Sequence, residues 1–154
     1  MVFQLERGVT GFRCGNEPEL PEISVQRFRV ACNKAAKTTG RAVERIAERT
    51  YPRNFHSAAI AGLGDRFAVL CNAMYPWVAF TEGVAGDVIG AGAFVGPPAC
   101  AATFTEMGFI VMSRQLLESP LSVVDTAALG KGEWMQIRSW QPATVGETVF
   151  NSWD

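Results

Sequence analysis

The sequence has few of the residues from which catalytic, metal and redox sites are usually built. Because His56 is the only histidine, two-histidine metal sites and the H-E-x-x-H pattern are excluded. The four cysteines form no C-x-x-C pair, so neither a zinc ribbon nor a redox motif is indicated; they are Cys14, Cys32, Cys71 and Cys100. We therefore expect reduced thiols in a cytosolic protein that uses no metal or other cofactor.

The chain also lacks a continuous apolar run long enough for a signal peptide or a membrane span. Glu6 and Arg7 interrupt the first residues, and glycines, acidic residues and prolines break the weakly charged stretch 67–112. Hydrophobic residues nevertheless make up 48% of the 154 residues, enough for a buried core. These features predict one soluble, cytoplasmic domain that covers residues 1–154.

Residues 25–49 predict an amphipathic helix, because apolar residues recur there at three- and four-residue steps. Ser24 is placed to cap its first turn, and Gly40 leaves open a division into two helices. Four basic residues fall near one face of this helix, and they are Arg27, Lys34, Arg41 and Arg45. Such a stripe is typical of a solvated helix face, with a nucleic-acid contact as the alternative.

The remaining patterns alternate between short strands and short helices. Strands are predicted around Phe3 and Phe12, at 58–63 and 67–71 as a hairpin with a Gly64-Asp65 turn, and at 77–80, 94–95 and 109–112. Helices are predicted at 98–107, 114–118, 134–141 and 144–151, and the glycine-rich stretch 83–98 is predicted to be a loop. Without regular βαβ alternation, this order predicts an α+β fold in which helices pack on an antiparallel sheet.

His56 has a structural and a catalytic interpretation. Its neighbours Phe55 and Ala58 favour a structural histidine at a strand edge, and no G-x-S-x-G pattern accompanies it. The alternative is a small enzyme whose site combines carboxylates with His56. We predict no catalytic residue.

Aromatic residues are concentrated at the end of the chain. Trp134, Trp140 and Trp153 lie within the last twenty-one residues together with Phe150. Because large aromatic side chains dominate core burial, we expect most of them, and Trp77, to be core residues. One or two tryptophans are candidate partner-facing anchors, since tryptophan is enriched at binding hot spots.

The last fifteen residues have the pattern W-x-P-x-T-x-G-E-x-x-F-N-x-W-D. Pro142 is predicted to end one helix, while Thr144 and Glu147 form a capping box for the next. Phe150 and Trp153, three residues apart, are predicted to lie on one face of that helix against the core. The pattern is therefore interpreted as a structural element that closes the fold; its other fixed residues are Trp140, Gly146, Asn151 and Asp154.

This ending, with the upstream segment NAMYPWVAF at 72–80, resembles small bacterial immunity proteins of polymorphic-toxin and contact-dependent growth inhibition systems. The resemblance implies a cytoplasmic, non-enzymatic protein that binds and neutralises one cognate protein toxin. For a nuclease toxin, whose substrate cleft is commonly basic, the contact surface would be acidic. The candidate contacts are Asp65, Glu82, Asp87, Glu106 and Glu118.

Overall fold

A central sheet runs through the computed structural model, which describes residues 2–85, 88–89 and 93–154. The strands are β1 (Ala42–Ala47), β2 (Phe55–Gly62), β3 (Asp65–Asn72), β4 (Trp77–Thr81), β5 (Val84–Ala85), β6 (Val88–Ile89), β7 (Phe94–Val95) and β8 (Ile110–Val111). The helices are α1 (Val25–Thr38), α2 (Ala101–Glu106), α3 (Arg114–Glu118), α4 (Lys131–Trp140) and α5 (Val145–Val149), with a 3-10 turn at Leu121–Val123. In these ranges no helix is long and apolar enough to cross a membrane.

The sheet has the strand order β1-β2-β3-β4-β7, and all of these neighbours are antiparallel. β8 lies beside β4 and is parallel to it, and β5 and β6 form a separate two-stranded hairpin. The predicted α+β class is confirmed. The loop predicted at 83–98 contains the expected strand β7, but β5 and β6 were not expected, and residues 86–87 and 90–92 lie outside the described ranges.

The β2–β3 hairpin is confirmed, although its turn lies one residue earlier than predicted. Leu63 and Gly64 both have positive φ, 55° and 83°, as a two-residue hairpin turn requires. Asp65 is consequently the first residue of β3 and pairs with Gly62.

Side chains alternate between two cores, one on each face of the sheet. From β3 and β4, Val69 and Phe80 enter the core beneath α1 and α2, whereas Leu70 and Ala79 enter the opposite core. The opposite core is completed by α3, α4, α5 and the N-terminal residues. Both ends of the chain therefore meet on one face of the sheet.

The helix predicted at 25–49 is wrong beyond Thr38. Ser24 caps α1 as expected, but Gly40 adopts a φ of +70° and the chain reverses into β1. A β-bulge between Val43 and Arg45 turns Val43 and Ile46 toward the same core. The bulge thus gives a strand the three-residue apolar spacing that is typical of a helix.

Two predictions near the chain ends are also wrong. Around Phe3 and Phe12 there are no strands in the described N-terminal residues, only an isolated bridge between Gln4 and Asp125. The Phe3 ring packs against Trp77, and the Phe12 ring packs against Trp153. Between the two phenylalanines the chain forms a loop that turns at Gly8 and Gly11, which have φ of +91° and +88°.

The last helix ends at Val149, so Phe150 and Trp153 do not share a helical face. The chain leaves the helix because the Asn151 backbone N–H donates to Asn54 Oδ1 at 2.8 Å. Asn54 is the residue that precedes β2. The helix predicted at 114–118 is confirmed as α3. The helix predicted at 134–141 is present as α4, but it begins three residues earlier, at Lys131, whereas the helix predicted at 98–107 begins only at Ala101.

Candidate partner-binding surface

The C-terminal segment is held in place by buried asparagines. The Nδ2 groups of Asn54 and Asn72 each donate to the carbonyl oxygens of Val9 and Val149, at distances between 2.8 and 3.0 Å. Two strand-end side chains thereby join backbone from both ends of the chain. Because unpaired buried carbonyls are costly, these four hydrogen bonds define where both segments lie.

Asn151 extends this network into the closing segment. Its Nδ2 donates to the carbonyl oxygens of Thr10 and Thr148, at 3.1 and 2.9 Å, and its Oδ1 accepts the Trp153 backbone N–H at 3.2 Å. The last of these bonds directs the chain after α5 so that the Trp153 ring is returned to the core. Trp153 is 7% exposed.

A buried carboxylate holds the N-terminal loop against α4. Glu133 is fully buried and accepts hydrogen bonds from the backbone N–H groups of Gly8, Thr10 and Gly130 and from the Thr10 hydroxyl, at 2.7–3.0 Å. Since Glu133 is also the third residue of α4, its charge lies at the positive end of the helix dipole. The loop that carries Phe12 is therefore fixed relative to α4.

These anchors support a surface of stacked aromatic rings, formed by Phe12, Trp153 and Trp140, which we call the aromatic platform. Trp153 stacks with each of the other two rings, with ring centroids 6.3 Å from Phe12 and 6.4 Å from Trp140. The two indole planes are within 7° of parallel, and Trp140 Nε1 donates to Gln136 Oε1 at 3.2 Å. Trp140 is nevertheless 47% exposed, so a large, oriented aromatic side chain faces solvent.

Tyr51 is 70% exposed and contacts Asp154, the residue that follows Trp153 of the aromatic platform. Its hydroxyl donates to Asp154 Oδ1 at 2.7 Å, and this hydrogen bond raises the pKa of the phenol. Tyrosine and tryptophan together on one surface are typical of protein-binding hot spots.

The acidic candidates are distributed over several elements. Glu118 forms an ion pair with Arg114. The Glu118 carboxylate is the main cause of the raised pKa of Arg114, and the charge of Glu82 raises it further. Asp65 instead forms an ion pair with Arg41 at 2.8 Å, and Glu106 is exposed in the last turn of α2. Asp87 lies outside the described residues. The structure thus brings together two of the five.

A shallow cleft of about 380 Å3 adjoins the Arg114–Glu118 pair. It is bordered by β7, by α3 and by the N-terminal end of α5, where Glu147 lines it. Thr144 caps α5 as predicted, since its hydroxyl accepts the Glu147 N–H, but the predicted capping box is not completed, because the Glu147 carboxylate accepts the N–H of Ala143 and not that of Thr144. The cleft is therefore lined by two carboxylates and one guanidinium.

His56 is buried, and both of its ring nitrogens are bonded to the backbone. Nδ1 accepts the Arg49 N–H at 2.9 Å, and Nε2 lies 2.7 Å from the Ile23 carbonyl oxygen, so the neutral ring carries its proton on Nε2. The ring also stacks on Phe28. This geometry supports the structural interpretation, because both ring nitrogens are already hydrogen-bonded to the backbone.

The basic stripe predicted for one helix face does not exist, because its four members occupy different elements. Arg27 and Lys34 lie on α1, whereas Arg45 lies on β1. Arg41 precedes β1, where it pairs with Asp65 and stacks over the Phe67 ring. The nucleic-acid alternative loses the linear array of cations on which it was based.

The cysteine thiols do not form a candidate reactive or metal-binding site. Cys32, Cys71 and Cys100 are buried in the core beneath α1 and α2, and burial raises the pKa of each thiol. Among the described residues, no three His, Cys, Asp or Glu side chains form a group that could hold a metal ion.

Sequence reasoning missed most of the residues that hold the aromatic platform in place. Glu133 had a usable signal, because it directly precedes the helix predicted at 134–141 and stands three residues after Gly130, which is the spacing of a capping box. Asn54 and Asn72 had no signal, since their partners are backbone carbonyls far away in sequence.

Comparison of the chain with protein-family models, with curated proteins and with solved structures gives no match.

Proposed function

We propose that the protein is an immunity protein that binds and neutralises a cognate protein toxin of a bacterial competition system. The observation that carries a binding function is the aromatic platform, in which half-exposed Trp140 stacks on buried Trp153. The toxin as the class of partner is inferred from the resemblance of residues 140–154 to immunity proteins.

Rigidity supports the assignment of Trp140 as the anchor. A side chain that is already stacked and hydrogen-bonded loses little conformational entropy when a partner covers it. Trp140 is stacked on Trp153 and bonded to Gln136, and Trp153 is positioned by Asn151. Truncation of such an anchor typically costs at least about 2 kcal/mol of binding free energy.

Glu82 and Glu118 are proposed as supporting contacts for a basic toxin surface. Both are exposed, and the cleft beside Glu118 adds the carboxylate of Glu147. Charges at an interface rim mainly raise the association rate. We therefore expect their substitution to slow association and to make it less dependent on salt, with little effect on dissociation.

The genetic test uses cells that carry the neighbouring toxin gene. Deletion of the gene for this protein should arrest growth, and the wild-type gene and Met135→Ala should restore it. Trp140→Ala should fail to restore growth at equal expression. Met135 is the matched control because it also lies on α4 and is 56% exposed. Full viability of the deletion strain in the presence of demonstrably active toxin contradicts the proposal.

A further inference from the structure

Strand β1 has one edge without a partner strand among the described residues. It begins the sheet order, pairs only with β2 in that order, and its residues are exposed or half-buried. An edge strand presents unpaired N–H and C=O groups that can extend a sheet into another chain. Natural edges are commonly protected by charges and bulges, and β1 has both.

The bulge determines which self-pairing of β1 is geometrically possible. In a regular strand, residues at an odd spacing face opposite sides of the sheet. In β1, however, Val43 and Ile46 both pack on the core beneath α1, because Glu44 is the additional residue of the bulge. Two antiparallel copies of β1 can therefore place Val43 opposite Ile46 with both side chains on the correct face.

That register also pairs opposite charges. With Val43 opposite Ile46 of a second copy, Glu44 lies opposite Arg45, and Ala42 lies opposite Ala47. One step outward, Arg41 lies opposite Glu48. A two-fold axis between Glu44 and Arg45 produces each of these pairs twice. Opposite charges across an antiparallel pair are favourable and like charges are unfavourable.

A register centred on Arg45 would be mismatched in two ways. It would oppose Arg45 to itself and Arg41 to Arg49, so that like charges face each other. It would also oppose Val43 to Ala47, which lies on the other face of the bulged strand. The charges and the bulge that protect this edge therefore disfavour that pairing relative to the register centred between Glu44 and Arg45.

We propose that β1 binds β1 of a second copy of this chain, antiparallel about an axis between Glu44 and Arg45, so that one sheet runs through both copies. Glu44 already pairs with Arg66 at 2.8 Å in its own chain, and in the dimer its carboxylate lies between Arg66 and the Arg45 of the other copy. The proposal does not depend on the function proposed above, because the aromatic platform contributes no residue to β1.

A disulfide test reports the register directly. In a Cys14→Ser background of the full chain, Ala42→Cys combined with Ala47→Cys should form covalent dimers under mild oxidation, because the two positions face each other across the axis. Either substitution alone should not, since two copies of position 42 lie about 16 Å apart along the strands. The remaining cysteines are buried.

Sedimentation of the full chain gives the second readout. We expect a dimer at micromolar concentration, with a dissociation constant that Glu44→Arg raises about tenfold and that Glu44→Arg with Arg45→Glu restores. A monomer at these concentrations overturns the proposal. So does a dimer that fails to crosslink in the double-cysteine variant, or one that Trp140→Ala dissociates while Glu44→Arg does not.

Discussion

At the scale of single residues, Glu133 and Glu147 show how similar sequence positions acquire different roles. Each is the third residue of a helix and accepts backbone N–H groups at its start. Glu147 is exposed, whereas Glu133 is fully buried and also binds Gly8 and Thr10. A buried carboxylate surrounded by donors is stabilising only while every donor is satisfied.

Glu133→Gln should therefore lower the free energy of unfolding by about 2–4 kcal/mol, because an amide group replaces one acceptor oxygen with a donor. Glu147→Gln should cost less than about 1 kcal/mol, as expected for an exposed cap. Urea unfolding of the two variants measures both values. Equal, small losses would show that the Glu133 carboxylate does not hold the N-terminal loop.

The thiols differ in accessibility in a way that chemical labelling can measure. Burial raises the pKa of Cys32, Cys71 and Cys100, so these thiols stay protonated at pH 8 and lie beneath α1 and α2. Cys14 is only half-buried. A thiol reagent at pH 8 should therefore label one cysteine per folded chain, and none after Cys14→Ser. Rapid labelling of a second thiol in the folded protein would contradict this assignment of the core.

At the scale of elements, the closing segment after α5 is part of the core even though it is not helical. Phe150, Asn151 and Trp153 are all buried there. The sequence pattern predicted the burial of both aromatic residues and the capping of α5, because capping spacing and ring size are local properties. It did not predict the extended backbone, since that depends on Asn54, which is distant in sequence.

Truncation after Thr148 should abolish cooperative unfolding. Phe150 and Trp153 are each worth about 3–5 kcal/mol when cut back to Ala, a large part of a typical stability of about 5–15 kcal/mol. Removal of Asp154 alone is the control, because this deletion removes only the hydrogen bond between the exposed side chains of Asp154 and Tyr51. Circular dichroism during thermal unfolding compares the two, and a cooperative transition in the long truncation would contradict the structural role of the segment.

At the scale of the whole molecule, the two ends of the chain meet on one face of the sheet and together form the aromatic platform. Phe12 comes from the N-terminal loop, and Trp140 and Trp153 come from the last fifteen residues. The α+β class, the hairpin and most helices could be predicted because their signals repeat over a few residues. The platform could not, since its geometry depends on the bonds that Glu133 and the asparagines make between distant segments.

The central claim, the proposed binding of a toxin, is tested most directly by the affinity of the purified protein for a candidate toxin, the C-terminal domain of the protein encoded by the neighbouring open reading frame. In calorimetric titrations, Trp140→Ala should raise the dissociation constant about thirtyfold, which corresponds to a loss of about 2 kcal/mol of binding free energy. The melting temperature of this variant should stay close to that of the wild type. Met135→Ala should leave the dissociation constant within about threefold of the wild-type value. A Trp140→Ala variant that binds the toxin as tightly as the wild type would contradict the account.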